Sequence, residues 1–157
     1  MIKVINLKKS FGPVKAVNDI SFKVQKGEIL GFLGPNGAGK TTAMRMLTGF
    51  LQPDGGEIFF DDLNLTDNSF KIRSQLGYLP ENNPLYHDFN TVEYLESIAR
   101  LRQVPKDQVK IAVRKVIRSC GLSEVIRKDI GKLSKGFQQR VGLAQTLIHN
   151  PEILILD

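Results

Sequence analysis

Residues 28–42, EILGFLGPNGAGKTT, hold the groups best suited to chemistry in this chain. GPNGAGKT fits G-x-x-x-x-G-K-[ST], with Gly34, Gly39, Lys40 and Thr41 at the defining positions. Glycines at 34, 37 and 39 let the loop Gly34-Pro35-Asn36-Gly37-Ala38-Gly39 curl so that successive N–H groups point at one place. That place is a helix N-terminus, where unpaired N–H groups and the helix dipole favour an anion. Lys40 would reach β- and γ-phosphates, and the Thr41 hydroxyl, with Thr42 beside it, would face a magnesium ion. A flexible surface turn is the alternative. The loop's place between a strand pattern and a helix pattern argues against it.

Such a loop needs elements to position it. The apolar run Ile29 to Leu33 reads as a buried strand that ends in the loop, and Lys40 to Phe50 reads as the helix it opens. Upstream, IKVINL (2–7) and DISFKVQ (19–25) read as a two-stranded ribbon. Phe11, beside Gly12-Pro13, is either a core aromatic or a ring able to stack on a flat base. Downstream, EIFFDD (57–62), a short segment at 69–74 and QLGYLP (75–80) give strand, amphipathic turn and strand. Asn90 can cap a helix with Glu93 as partner in a capping box. Pro105 separates that helix from a second, marked by Val109, Ala112, Val113, Val116 and Ile117. KLSKG opens a last helix, Phe137 to about His149, and EILILD (152–157) is a strand delivering Asp157. Alternating strands and helices predict an α/β domain with a mostly parallel sheet, and a dinucleotide-binding fold is excluded by the glycine spacing.

Composition sets outer bounds. The 157 residues are 41% hydrophobic and 24% charged, ordinary for a globular domain. No apolar run reaches membrane-span length and the N-terminus lacks a signal-peptide layout, so the expected place is the cytosol. One cysteine, Cys120, excludes a disulfide framework and reads as a small buried side chain. The net charge of +6 is concentrated: residues 100–140 carry twelve Lys/Arg against three Asp/Glu. A solvated helix face, an anionic membrane surface and a nucleic-acid patch are the readings. The solvated face is the usual one, and with no aromatic residues among the basic ones nucleic acid is disfavoured.

Three motifs in order, GPNGAGKTT (34–42), LSKGFQQR (133–140) and ILILD (153–157), resemble the ATP-binding subunit of ATP-binding-cassette (ABC) transporters. GYLPE (77–81) and LSKGFQQRVGLAQ are similar to the branch that powers ABC-2-type exporters, including gliding-motility and drug-export systems. The resemblance covers residues 1–157. It implies a P-loop NTPase fold with an N-terminal antiparallel ribbon and a helical subdomain at about 88–140. It implies Phe11 on adenine, the 34–42 loop on the phosphates of ATP, and Lys40, Glu81 and Asp157 in the catalytic machinery. Thr41, Glu81 and Asp157 would face Mg²⁺, and Ser134 and Gly136 would cap a γ-phosphate held by a second ATP-binding subunit. The implied partners are that subunit and multi-spanning permeases, with the chain peripheral on the inner face of the membrane and ATP hydrolysis energising transport, export by branch.

Three departures accompany it. Glu81 stands where the family usually has glutamine, and Lys135 and Phe137 replace a usual glycine and glutamine. The family's catalytic glutamate, linking loop and histidine would follow Asp157, and His87 and His149 both precede it. The expectation is therefore the N-terminal part of an ATPase domain, missing its C-terminal strands, with an unpaired edge at Ile153–Leu156 and little turnover alone. Alternatives are a nucleotide-binding fragment that does not catalyse, and a soluble ABC-type ATPase without membrane partners.

Overall fold

The computed structural model describes all residues, Met1–Asp157. They form two compact units, Met1–Ser74 together with Asp157, and Gln75–Leu156.

In the first unit β1 (Ile2–Phe11) and β2 (Val14–Val24) make the expected antiparallel ribbon. β3 (Gly55–Phe60) pairs on the other side of β1, and the two-residue β4 (Leu63–Asn64) completes an antiparallel sheet of order β2-β1-β3-β4. One face is apolar and covered: Val4, Leu7, Val17, Ile58 and Phe60 are buried. Ala43, Met46 and Leu47 of α1 (Lys40–Leu47) and Ile72 of α2 (Ser69–Ser74) are buried too. Full burial of side chains of this size contributes about 1.5–3 kcal/mol each, so the sheet and its helices are held mainly by that contact. Asp54 ties the far end of β1 down, accepting from Lys9 Nζ at 2.6 Å and Ser10 N at 2.7 Å. The Lys9 hydrogen bond holds its carboxyl below the usual range.

The run Ile29–Leu33 does not form the predicted buried strand. No ladder includes it, and Ile29 and Leu33 are each 96% exposed. A strand exists only by pairing its N–H and C=O groups with a neighbour, and none of β1–β4 runs beside this run. It is anchored instead through Phe32, whose ring meets Phe22 of β2 edge-on at 5.3 Å.

In the second unit β5 (Leu76–Leu79) and β6 (Ile153–Leu156) pair in parallel, Leu76 opposite Ile153 and Leu79 opposite Leu156. This is the one parallel pairing; the larger sheet is antiparallel, so the mostly parallel sheet expected from alternation is not what the chain builds. β6 thus has one paired side, with Ile155 buried and Leu154 and Leu156 exposed.

Helices α3 (Thr91–Leu101), α4 (Val109–Ser119) and α5 (Lys135–Leu147) enclose a second core of Leu95, Ala99, Val113, Val116, Leu122, Ile130, Val141 and Ala144. Asn90 caps α3, its side chain accepting from Glu93 N at 3.0 Å. Tyr94, buried in this core, donates its hydroxyl to Gln145 Oε1 of α5. α5 begins at Lys135 rather than Phe137, because Ser134 caps it two residues earlier than the apolar pattern suggests. Cys120 is buried, as read from the sequence, and burial pushes its thiol up. No helix is long and apolar enough to cross a membrane.

Candidate functional site

In the first unit the glycine loop folds as its residue types require. Gly37 and Gly39 have φ of 83° and 85°, and Ala38 N closes a turn on Pro35 O at 3.2 Å. Gly39 also lies against β2: a Cβ there would stand 2.0 Å from the Ala16 carbonyl oxygen. The β1–β2 ribbon is therefore the back wall of the loop, a role the sequence does not announce because the wall is backbone.

The first backbone bond of α1 runs from Ala43 N to Gly39 O at 2.8 Å. The N–H groups of Lys40, Thr41 and Thr42 consequently lie outside the helical ladder at the positive end of the helix dipole. Lys40 Nζ donates to Gly34 O at 2.8 Å and Pro35 O at 2.9 Å. An ammonium has three donors, so the side chain is anchored over the loop with one donor left for a ligand.

Thr41 Oγ1 donates to Asp157 Oδ1 at 2.9 Å, a contact between residues 116 apart in sequence. A hydroxyl and a carboxylate meeting beside a phosphate-type loop are hard oxygen donors of the kind Mg²⁺ takes, usually alongside waters and phosphate oxygens. Phe11, 51% exposed, ends β1 opposite Val14, which lies two residues before Ala16 on β2. Lys9 Nζ lies 5.8 Å from the ring centroid. A half-exposed aromatic on the ribbon that backs the loop leaves apolar surface open to a flat ring.

The second unit carries the other candidates. Glu81 is exposed in the turn after β5, which Asn83 N closes on Pro80 O at 3.0 Å. Asn83 Nδ2 donates to Gln138 O of α5 at 2.8 Å. The fit there is close: a Cβ on Gly142 would stand 2.0 Å from Asn83 Oδ1. Within this unit the Glu81 turn is thus pinned to the helix that Ser134 opens.

Ser134 Oγ accepts from Phe137 N at 3.4 Å, the expected helix cap. Gln138 Nε2 braces the approach to that cap, donating to Ile130 O at 3.1 Å and Leu133 O at 3.3 Å. Gly136 faces open space, with nothing within 4 Å of where a Cβ would lie. Lys135 is exposed beside it, and the Arg140 guanidinium lies 5.3 Å from the centroid of the Phe137 ring.

The structure brings Phe11, Gly34–Thr42 and Asp157 into the first unit, and Glu81, Ser134 and Gly136 into the second. Asp54, Asn83, Gln138 and Gly142 support these groups and were missed in the sequence. Their partners are distant in the chain or are backbone atoms, so no local signal marks them.

The family described as ABC transporter matches residues 17–157. The spermidine/putrescine import ATP-binding protein PotA of Fusobacterium nucleatum is 35% identical, over 99% of this chain and 41% of its own length. The bacitracin transport ATP-binding protein BcrA of Bacillus licheniformis is 38% identical, over 100% of this chain and 50% of its own. The chain thus spans about half the length of these curated relatives. CbiO1 of Clostridium perfringens, part of the ABC transporter complex CbiONQ, superposes with a TM-score of 0.85 at 27% identity, covering 99% of this chain and 64% of that one. Loop, helix cap, strand-end aspartate and these likenesses agree: the chain belongs to the ABC transporter family, in its ATP-binding domain.

Proposed function

We propose that the chain holds MgATP and belongs to an ATPase that energises transport across a membrane. The observation that carries this is the loop itself: free helix-end N–H groups, an anchored Lys40 with a spare donor, and Thr41 on Asp157. Phosphates would sit on the N–H groups of the loop and on Lys40, and adenine on Phe11. Thr41 and Asp157 would hold Mg²⁺. When bound, the ion neutralises phosphate charge. The work of this chain's own residues is to orient the phosphates and exclude competing poses.

Ser134 and Gly136 would serve a nucleotide on a second ATP-binding subunit. A glycine in a helix costs about 0.5–1 kcal/mol relative to alanine, and no atom of this chain crowds Gly136. An approaching phosphate is a reason for the open space. Permease subunits would then hold the protein at the cytoplasmic face of the membrane, with a helical subdomain at about 88–140. Export is the direction we favour, on the GYLPE and LSKGFQQRVGLAQ text. One relative is named for import, so the motifs carry that choice.

Binding of a fluorescent ATP analogue with and without Mg²⁺ tests the reading. Lys40→Ala removes a charge-assisted hydrogen bond worth about 1.5–3 kcal/mol, a loss of roughly ten- to a hundredfold in affinity. Binding unaffected by that change refutes the site.

A further inference from the structure

The second unit carries a surface that ATP binding does not use. All twelve of its Lys and Arg residues lie between 100 and 140. α4, VKIAVRKVIRS, contains four of them and no acid. Its Val109, Val113 and Val116 are buried, while Lys110, Ile111, Arg114, Lys115 and Arg118 are exposed. At 3.6 residues per turn these five fall within an arc of about 140° on the face opposite the core, with Ile111 between Arg118 and Lys115.

Local preferences do not explain this face. Lys110, Arg114 and Arg118 follow one another at i, i+4 and i+8, a row of like charges that destabilises a helix. Lys110 also sits in the first turn, where the helix dipole disfavours a cation. No carboxylate compensates: the unit's ion pairs are Arg100–Glu96 and Lys132–Asp129, and Lys115 bonds only the Asn150 side chain. Asp107 of the preceding turn is engaged by Gln108, and Glu124 lies beyond the helix end.

Two exposed apolar side chains lie at one end of the α3–α4 hairpin. Ile111 is 57% exposed, and Leu101, at the end of α3, is 75% exposed. α3 and α4 pack on each other and are joined by residues 102–108, so Leu101 and Ile111 lie at the same end of the helical hairpin. No aromatic residue occurs between Tyr94 and Phe137, so the face lacks the stacking groups that nucleic acid recruits.

We infer that the α4 face, with Leu101 and Ile111, docks on an anionic lipid surface, through cations on the headgroups and two aliphatic side chains at the acyl boundary. Basic residues near such a surface act additively, each worth about a fivefold gain in partition. The apolar pair supplies the second contact that stable peripheral binding needs. This inference does not depend on the nucleotide reading, since none of these residues belongs to the loop or the helix cap.

Co-sedimentation with phosphatidylcholine vesicles, plain or containing about one third phosphatidylglycerol, tests it. The protein is expected to bind only the anionic vesicles and to be released as salt rises from about 0.1 to 0.5 M. Lys110→Glu with Arg114→Glu and Arg118→Glu should lower partition by about a hundredfold or more. Ile111→Ser should weaken it severalfold with no change in charge. Lys3→Glu with Lys15→Glu and Lys23→Glu, the same charge change on the β1–β2 ribbon, should leave it near wild type, and circular dichroism confirms that each variant folds. Equal binding to neutral vesicles, equal loss in the ribbon variant, or no effect of Ile111→Ser overturns the inference. So does binding to single-stranded RNA or polyglutamate as tight as to the anionic vesicles.

Discussion

Replacing Gly39 by alanine separates two demands that the loop makes at neighbouring glycines. Gly37 and Gly39 share nearly the same left-handed backbone, with φ of 83° and 85°. A Cβ at Gly37 meets nothing within 4 Å, whereas one at Gly39 falls 2.0 Å from Ala16 O and 3.3 Å from Val17 Cγ2. The left-handed conformation costs an L-residue roughly 1–2 kcal/mol at either position. At Gly39 the backbone of β2 must also give way, and forced overpacking typically adds about 1–3 kcal/mol. For a chain of this size each kcal/mol lowers the melting temperature by about 2–4 °C. Gly37→Ala should therefore melt about 2–8 °C below wild type, and Gly39→Ala roughly twice as far below. Thermal unfolding by circular dichroism reads the difference, and ATP-analogue binding should be lost with Gly39→Ala because the loop leaves its wall. Equal melting temperatures for the two variants would refute the claim that the ribbon backs the loop.

Further outcomes follow from the same structure. Burial pushes the Tyr94 phenol from 10.0 up to about 12, so its contribution to stability is complete below pH 10 and lost as pH rises from there towards 12. Tyr94→Phe should remove that alkaline component while costing about 1–3 kcal/mol at neutral pH for the unpartnered Gln145 oxygen, both read from melts across pH. His149 is held below its usual 6.5 by burial, then by Arg102. Its Nε2 lies 3.3 Å from Leu76 O and its buried Nδ1 has no partner to take up a second proton. Stability should thus be complete above pH 6.5 and fall as pH drops, and His149→Gln should flatten that slope in acid denaturation. Asp157→Asn keeps an acceptor for Thr41 but removes the charge, so the gain in ATP-analogue affinity on adding Mg²⁺ should shrink or vanish.

Much of the molecule is readable in its residues because the forces involved are local. The glycine loop needs only left-handed residues followed by a helix, and GPNGAGKT supplies both. Asn90 and Ser134 cap helices through bonds to residues three positions on, so their types and spacing suffice. The faces of α3 and α4 follow from helical period, and the basic excess of 100–140 is a matter of counting. What tertiary structure decided were contacts made by partners far apart. Ile29–Leu33 has the composition of a strand, yet pairing defines a strand, and no partner ladder runs beside it. Alternation suggested parallel neighbours, while hydrogen bonding made the larger sheet antiparallel. Only folding sets Gly39 against the Ala16 carbonyl and Gly142 against Asn83. Only folding brings Thr41 to Asp157 across 116 residues, which turns two separate motif residues into one oxygen site beside the loop.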